Sequence, residues 1–202
     1  LLDLDEVWTA SEWNAGAFAS GGLPRFMIEV IPHCLDTDLY TDQTPRMNVP
    51  DARSFTFLNV VSNYNRKNAG QLLRAYFQAF SPEDDVSLVL KLPGETTPAD
   101  IEKHIREPIR PFYDLDDPAL PDVRLLPVSF SDEQMIQLYN GCDAFVTLER
   151  GKGWDLCAMQ AMALGKTAIS VNWSGNTEFM APENSVLIEP LPRTVSVEPG
   201  EA

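Results

Sequence analysis

The sequence contains little cysteine and little histidine. Its 202 residues include 3 cysteines and 2 histidines. The cysteines, Cys34, Cys142 and Cys157, are too few and too widely spaced for a disulfide framework, so we expect free thiols in a reducing compartment. His33 precedes Cys34, but no other cysteine or histidine lies at a metal-ligand spacing, and we therefore expect no zinc site.

Basic residues are scarce, and long apolar runs are absent. The 15 Lys and Arg residues are outnumbered by 30 Asp and Glu residues, which gives a formal net charge of −15. Because binding to nucleic acid or to an anionic membrane surface requires clustered cations, neither is expected as a partner. No apolar run reaches the roughly 18 residues that a membrane-spanning helix needs. We therefore expect a cytoplasmic protein.

Short apolar strands alternate with amphipathic helices along most of the chain. Segments such as 144–146 and 168–171 are apolar on both faces, which is typical of a parallel sheet buried between helices. The pattern predicts an α/β fold, a doubly wound, Rossmann-like parallel sheet over residues 53–190. Ligands of such folds bind at the carboxyl ends of the strands, beside the N-termini of helices.

The hydrophobic pattern and the capping residues give explicit bounds for these elements. Ser131 and Gln134 form a capping box, and Gly141 and Gly165 are predicted to end helices. Predicted strands cover residues 7–9, 27–31, 55–61, 86–92, 123–126, 144–148, 167–171 and 186–188. Predicted helices cover residues 12–18, 68–80, 98–106, 132–140, 155–164 and 176–180, with a loop at 108–122.

Two strand-to-helix turns carry positive charge. The first, residues 62–68, places Arg66 and Lys67 beside the start of a helix, where an anion would meet both side chains and free N–H groups. The second, residues 149–156, contains two glycines that allow backbone to approach a ligand closely. The alternatives are a solvated basic pair in the first turn and a glycine turn needed only for geometry in the second.

A third turn of this kind, residues 173–178, is more simply explained as a capped helix start than as a site for sugar or phosphate. His33 is expected to have a structural role.

Three ordered motifs resemble one known family. They are 143–146, 150–156 and 160–166, and in this order they resemble the donor-binding domain of retaining glycosyltransferases with the GT-B fold, of the group 1 or family 4 type. Further matches to the same family are found at residues 5–13, 30–36, 66–68, 131–139 and 172–178.

The resemblance implies a division of the chain into four parts. Residues 1–30 would be the terminal elements of an otherwise missing N-terminal acceptor domain, and residues 31–52 an interdomain linker. Residues 53–190 would form the nucleotide-sugar-binding domain, and residues 191–202 a tail. We expect a fragment that can bind a donor but cannot transfer sugar by itself.

The resemblance also implies roles for individual residues. Arg66 and Lys67 would hold the donor diphosphate, residues 153–156 would meet the phosphates or the donor sugar, and residues 128–131 would border the base. No metal is expected, because cations and helix-end amides can stabilise the leaving diphosphate. No catalytic residue is assigned. The implied donor-binding residues are Arg66, Lys67, Lys152, Gly153, Trp154, Asp155, Leu156 and Gln160.

Four departures from the family pattern concern the same site. Lys152 and Gln160 stand where the family usually has a pair of glutamates, and Asp155 stands where glycine is common. An arginine often found near Ser62 is missing. Gln160 retains hydrogen bonding without charge, Lys152 reverses the charge, and a carboxylate at position 155 would repel a diphosphate. Glu149 is a candidate substitute for the lost acid.

Three functions are compatible with these residues. The first is a hexosyltransferase-type glycosyltransferase that moves sugar, with retention, from a nucleotide-diphosphate donor to a glycan or another hydroxyl acceptor. The second is a non-catalytic binding or scaffolding subunit with a degenerate donor site, working with a paralogous subunit. The third is a different sugar-nucleotide enzyme of the same architecture, such as an epimerase, because a fold alone does not determine a function.

Overall fold

A computed structural model of the chain describes residues 4–41, 43–61 and 64–191. The strands are β1 (Val7–Thr9), β2 (Ile28–Val30), β3 (Phe55–Val60), β4 (Val86–Leu92), β5 (Asp122–Pro127), β6 (Ala144–Val146), β7 (Thr167–Val171) and β8 (Val186–Ile188). The helices are α1 (Glu12–Ser20), α2 (Tyr64–Lys67), α3 (Ala69–Ala79), α4 (Pro98–Ile101), α5 (Glu107–Ile109), α6 (Asp132–Gly141) and α7 (Leu156–Ala163). A π-helical turn, Glu102–Arg106, joins α4 to α5.

Six of these strands form one parallel sheet in the order β5-β4-β3-β6-β7-β8. The chain starts in the middle, at β3, winds outwards through β4 and β5, and then returns to β6 on the other side of β3. This order confirms the predicted doubly wound α/β fold. It also places the topological switch point, where ligands of such sheets bind, between β3 and β6.

The core consists of two apolar layers, one on each face of this sheet. Alternation along β4 assigns its side chains to the two layers: Leu88 and Leu90 join one, and Val89 joins the other. On the first face the sheet packs against Leu72, Leu73, Tyr76 and Phe77 of α3. On the second face it packs against Leu138, Tyr139, Ala158 and Ala161 of α6 and α7.

A separate βαβ unit precedes the large sheet. Strands β1 and β2 pair in parallel, and α1 connects them. Ser11 caps α1, and its side chain accepts a hydrogen bond from the Asn14 backbone N–H. The helix continues two residues beyond the predicted end, to Ser20.

Several predicted bounds differ from the structure by one to three residues, and three differences have a clear physical reason. The helix that starts at residue 98 continues to Ile109. A proline inside a regular α-helix clashes with the preceding turn, and the π-helical turn before Pro108 avoids this clash. Gly141 is the last residue of α6 and does not follow it. A Cβ at Gly141 would lie 2.1 Å from the Met47 carbonyl oxygen, so close contact explains this glycine. Strand β6 ends at Val146, two residues early, before the turn that leads to α7.

Of the predicted tail, only Leu191 belongs to the described residues, and Ser62 lies outside them. Within the described part of the chain, no helix combines the length and the apolar character needed to span a membrane.

Candidate functional site

A cleft of about 820 Å³ lies at the switch point, at the carboxyl ends of β3 and β6. It is lined by residues 8–10, 14, 31–34, 66–67, 149 and 152–157. The structure therefore brings together all the implied donor-binding residues except Gln160. The βαβ unit supplies part of one wall through Trp8, Thr9, Ala10 and Asn14, which the sequence did not predict.

A buried glutamate holds the two cations that follow β3. Glu149 Oε1 accepts a hydrogen bond from Lys67 Nζ at 2.5 Å, and Glu149 Oε2 accepts one from Arg66 Nη1 at 2.7 Å. The Glu149 side chain is 1% exposed and that of Lys67 is 9% exposed, so this pair is strongly shielded from water. Thr147 Oγ1 donates a further hydrogen bond to Oε1 at 3.3 Å.

The short helix α2, which follows β3, and the turn that follows β6 are joined by further hydrogen bonds. The Arg150 backbone N–H donates to the Arg66 carbonyl at 3.0 Å, and the Asn68 side chain donates to the Leu148 carbonyl at 3.1 Å. Asn68 has a φ of 57°, in the left-handed region that asparagine tolerates well. These contacts hold Arg66 and Lys67 beside Glu149.

A second buried ion pair lies in the turn before α7. Lys152 Nζ donates to Asp155 Oδ2 and, at 3.2 Å, to Ser170 Oγ. The side chains of Lys152 and Asp155 are 4% and 1% exposed. The two most unusual residues of the glycine-rich turn are therefore partners of each other.

Asp155 also caps α7. Its Oδ1 accepts a hydrogen bond from the Ala158 backbone N–H at 3.2 Å, so its carboxylate lies at the positive end of the helix. Its φ of 95° is in the left-handed region, where a non-glycine residue is strained. This backbone conformation gives a physical reason why glycine suits position 155.

The turn at 173–178 supports the glycine-rich turn from behind and does not line the cleft. Ser174 Oγ accepts from the Lys152 backbone N–H at 2.9 Å, and the Gly175 N–H donates to the Lys152 carbonyl at 3.0 Å. A Cβ at Gly175 would lie 2.0 Å from the Gly153 carbonyl oxygen. Glycine is thus required there because two backbone segments touch.

Aromatic residues form the cleft wall beyond the charges. Trp154 is buried, its Nε1 lies 3.0 Å from Met159 Sδ, and its ring packs edge-to-face with His33 at a centroid distance of 6.0 Å. His33, for which a structural role was expected, is exposed at the cleft. Trp8 is 69% exposed and donates from its indole N–H to Glu6.

Gln160 and residues 128–131 do not line this cleft. The Gln160 amide donates to the Tyr40 hydroxyl at 2.9 Å, so its side chain is engaged by the segment that joins the two sheets. Cys157, by contrast, reaches the cleft from α7, and burial raises the pKa of its thiol, although nearby Lys67 opposes this shift.

The sequence did not predict the pairing of Glu149 with both cations. The sequence does contain one indication of this pairing. Glu149 follows the buried strand β6, and Arg66 and Lys67 follow β3, which is the neighbouring strand of the parallel sheet. The family pattern points to Glu149 only as a substitute for the lost acid, not as a partner of Arg66 and Lys67.

A family profile described as Glycosyl transferases group 1 matches residues 53–194. No curated protein sequence matches the chain. Solved structures do. HepE from Anabaena, in a complex with UDP and glucose, superimposes with a TM-score of 0.68 at 18% identity, over 92% of this chain and 50% of that one.

Two further structures are similar at comparable identity. Sucrose-phosphate synthase from Thermosynechococcus elongatus has a TM-score of 0.68 at 20% identity, covering 94% of this chain and 46% of that one. A GtfA/B complex has a TM-score of 0.63 at 19% identity, covering 96% of this chain and 36% of that one. The chain thus spans about half the length of HepE and of sucrose-phosphate synthase, and about a third of the GtfA/B chain.

The six-stranded parallel sheet flanked by helices is the Rossmann-like domain of the GT-B fold. The chain belongs to the group 1 glycosyl transferase family, because the family match covers more than half of its length.

Proposed function

We propose that this cleft binds a nucleotide-diphosphate sugar, as the donor-binding part of a retaining, family 4-type hexosyltransferase. The observation that carries the proposal is the convergence of Arg66, Lys67, Lys152 and the N-terminus of α7 at the switch point of the sheet. Cations and helix-end amides are the groups that bind phosphate in proteins. The UDP bound to HepE, a protein of the same fold, is consistent with this choice of ligand.

The same groups supply the chemistry of transfer. When the glycosidic bond to the donor breaks, the diphosphate leaves with additional negative charge, and fixed cations lower the energy of that state. Arg66 and Lys67 are the residues we propose for this role, without a metal ion. Unchanged donor binding in the presence of a chelator would support this part of the proposal.

The acceptor side is proposed to lie outside the described domain. In this proposal residues 1–30 are the terminal elements of an acceptor domain, residues 31–52 are the linker, and the acceptor is a glycan or another hydroxyl compound. The exposed Trp8 and Phe26 on the βαβ unit are consistent with further protein packing there. Donor binding, rather than transfer, is therefore the property to test first.

Calorimetric titration with UDP, GDP and ADP tests the proposal directly. We expect one nucleotide diphosphate to bind best, and Lys67→Met to weaken its binding by about 10- to 100-fold through loss of a charge-assisted hydrogen bond. Lys103→Met, which removes an exposed lysine of the π-helical turn, is the matched control and should bind like the original chain. Failure of the original chain to bind any of the three nucleotides would refute the proposal.

A second function, a non-catalytic subunit, is favoured by the Lys152–Asp155 ion pair, which fills part of the glycine-rich turn with the chain's own charges. Because Lys152→Glu alone would face Asp155, the discriminating variant is the triple change Lys152→Glu, Asp155→Gly and Gln160→Glu. Donor binding or donor hydrolysis gained by this variant would indicate a decayed transferase site. Loss of binding would indicate that the present residues serve a different ligand or a partner subunit.

A further inference from the structure

We infer that Glu149 and Asp155 are internal counter-anions that occupy the two anion-binding positions of the cleft, so that a phosphate ligand binds only by taking their contacts. The inference rests on the proposed function and concerns the affinity of the same site. In this role the two carboxylates determine how tightly the cleft binds an anion.

Glu149 occupies the first position, beside the pair of cations. Each of its oxygens is used: Oε1 accepts from Lys67 and Thr147, and Oε2 accepts from Arg66. A phosphate bound by Arg66 and Lys67 would present oxygens to the same Nη1 and Nζ atoms. The carboxylate and the phosphate are therefore alternatives for these two donors, and a second anion beside Glu149 would be repelled at close range.

Asp155 occupies the second position, at the N-terminus of α7. Its Oδ1 accepts from the Ala158 N–H and its Oδ2 accepts from Lys152, so one carboxylate satisfies both the helix end and the neighbouring cation. The residue keeps this position in spite of a strained φ of 95°. Backbone strain at a cleft residue that pairs with another buried charge is what a specific role at this position predicts.

The net charge of the cleft side chains indicates that the two carboxylates strongly reduce its affinity for phosphate. Arg66, Lys67 and Lys152 face Glu149 and Asp155, which leaves a single net positive charge among these five side chains. A diphosphate carries more than one negative charge, and the two carboxylates are 1% exposed, so water screens them little. Neutralising either carboxylate should therefore strengthen the binding of phosphate ligands.

The test uses inorganic pyrophosphate and UDP as probes, titrated into the chain and its variants by calorimetry. Glu149→Gln and Asp155→Asn keep the size of each side chain, and asparagine also tolerates a left-handed backbone and caps helices. We expect each to bind pyrophosphate about tenfold more tightly or better, the scale of coupling between close charges.

Two matched controls remove the same charge elsewhere. Asp51→Asn changes an exposed aspartate that also has a positive φ, of 56°, and Glu133→Gln changes an exposed glutamate of α6. Both raise the net charge of the chain by the same amount as the test variants. We expect no change in pyrophosphate affinity, which would exclude a general effect of charge on this acidic protein.

A double variant separates the proposed role from a merely structural one. Lys152→Met with Asp155→Asn removes both charges of the second ion pair, and should fold without a buried unpaired lysine while losing the gain in affinity shown by Asp155→Asn. A purely structural pair would change the melting temperature of these variants without changing pyrophosphate affinity. If Asp155→Asn does not fold, Glu149→Gln still tests the first position.

The outcomes distinguish this inference from the proposed function. Binding of UDP by the original chain, with unchanged or weaker pyrophosphate binding by both Glu149→Gln and Asp155→Asn, overturns the inference alone. Absence of UDP and pyrophosphate binding in the original chain and in all variants overturns both. Binding that appears only in the neutralised variants supports the inference and favours the non-catalytic subunit.

Discussion

The two ends of the large sheet both concentrate carboxylates, but they pair them with different partners. At the amino ends of the strands, Asp143 accepts from the Thr56 backbone N–H at 2.8 Å and from its hydroxyl at 3.1 Å. In the same region Asp85 accepts from the Ser54 backbone N–H at 3.2 Å and from its hydroxyl at 2.5 Å. Asp122 is the exception at this end, because it accepts from the Ser87 hydroxyl and also pairs with Arg124 at 2.7 Å. At the carboxyl ends, Glu149 and Asp155 accept mainly from the side chains of Arg66, Lys67 and Lys152.

This difference separates a structural use of carboxylates from a functional one. Backbone N–H groups and short hydroxyls cannot leave their positions, so Asp143 only fastens the start of β6 to the start of β3. Lysine and arginine have long side chains, and the same cations can serve a carboxylate or a phosphate. The comparison predicts that changes at the amino ends affect stability alone, whereas changes at the carboxyl ends affect stability and binding together.

The largest expected effect comes from removing a buried cation of the cleft. Lys67→Met should lower the free energy of unfolding by about 3 kcal/mol, because among the described residues Glu149 then keeps only Arg66 as a charged partner. Adding Glu149→Gln should restore most of this stability, since no buried charge remains unpaired. Urea denaturation of the single and double variants measures both values.

The control for this cycle is the binding assay. The double variant should bind pyrophosphate more weakly than Glu149→Gln alone although its stability recovers, because it lacks Lys67. Equal pyrophosphate binding by the double variant and by Glu149→Gln would show that Lys67 acts only through the fold.

A smaller effect is expected at the opposite end of the sheet. Asp143→Asn should lower the free energy of unfolding by about 1 kcal/mol, because two hydrogen bonds lose their charge assistance. UDP and pyrophosphate affinities should stay the same. A change in either affinity would mean that the two ends of the sheet are coupled.

The smallest effect concerns the reactivity of the thiols, which lie at both ends. Cys142, next to Asp143, is buried, and burial raises the pKa of its thiol to about 11. Cys157 lines the cleft and is less completely covered, and Cys34 is exposed. Iodoacetamide labelling at pH 8, followed by mass spectrometry, should modify Cys34 first, then Cys157, and Cys142 only on unfolding.

Pyrophosphate should slow the labelling of Cys157 and leave that of Cys34 less affected. Labelling of Cys142 as fast as Cys157 would show that the amino end of the sheet opens as readily as the cleft.

The large sheet could be predicted from the sequence because its strands are short, apolar and well bounded. Strands β4, β7 and β8 have the predicted bounds, and the capping box at Ser131 forms as expected. One error arose where distant segments meet. The contact between Gly141 and Met47 depends on tertiary packing that a local pattern does not contain. The π-helical turn before Pro108 is local, but a proline in a helical pattern more often ends the helix.

For the site, the sequence predicts which residues lie together but not all of the contacts between them. The positions of Arg66, Lys67, Lys152 and Asp155 at one cleft follow from the topology of a parallel sheet. Their pairing does not, because Glu149 reaches Lys67 across 82 residues of sequence. The Lys152–Asp155 pair is local, because its two opposite charges are three residues apart at the start of a helix, and this spacing is visible in the sequence.

One backbone oxygen joins the βαβ unit to the glycine-rich turn. The Gly153 carbonyl accepts from the Ser11 hydroxyl at 3.0 Å and from the Asn14 amide at 3.2 Å, both at the start of α1. A rotation of α1 therefore either breaks these two hydrogen bonds or displaces Gly153 together with the helix. A movement of α1 that keeps both hydrogen bonds therefore shifts Gly153, which lines the cleft.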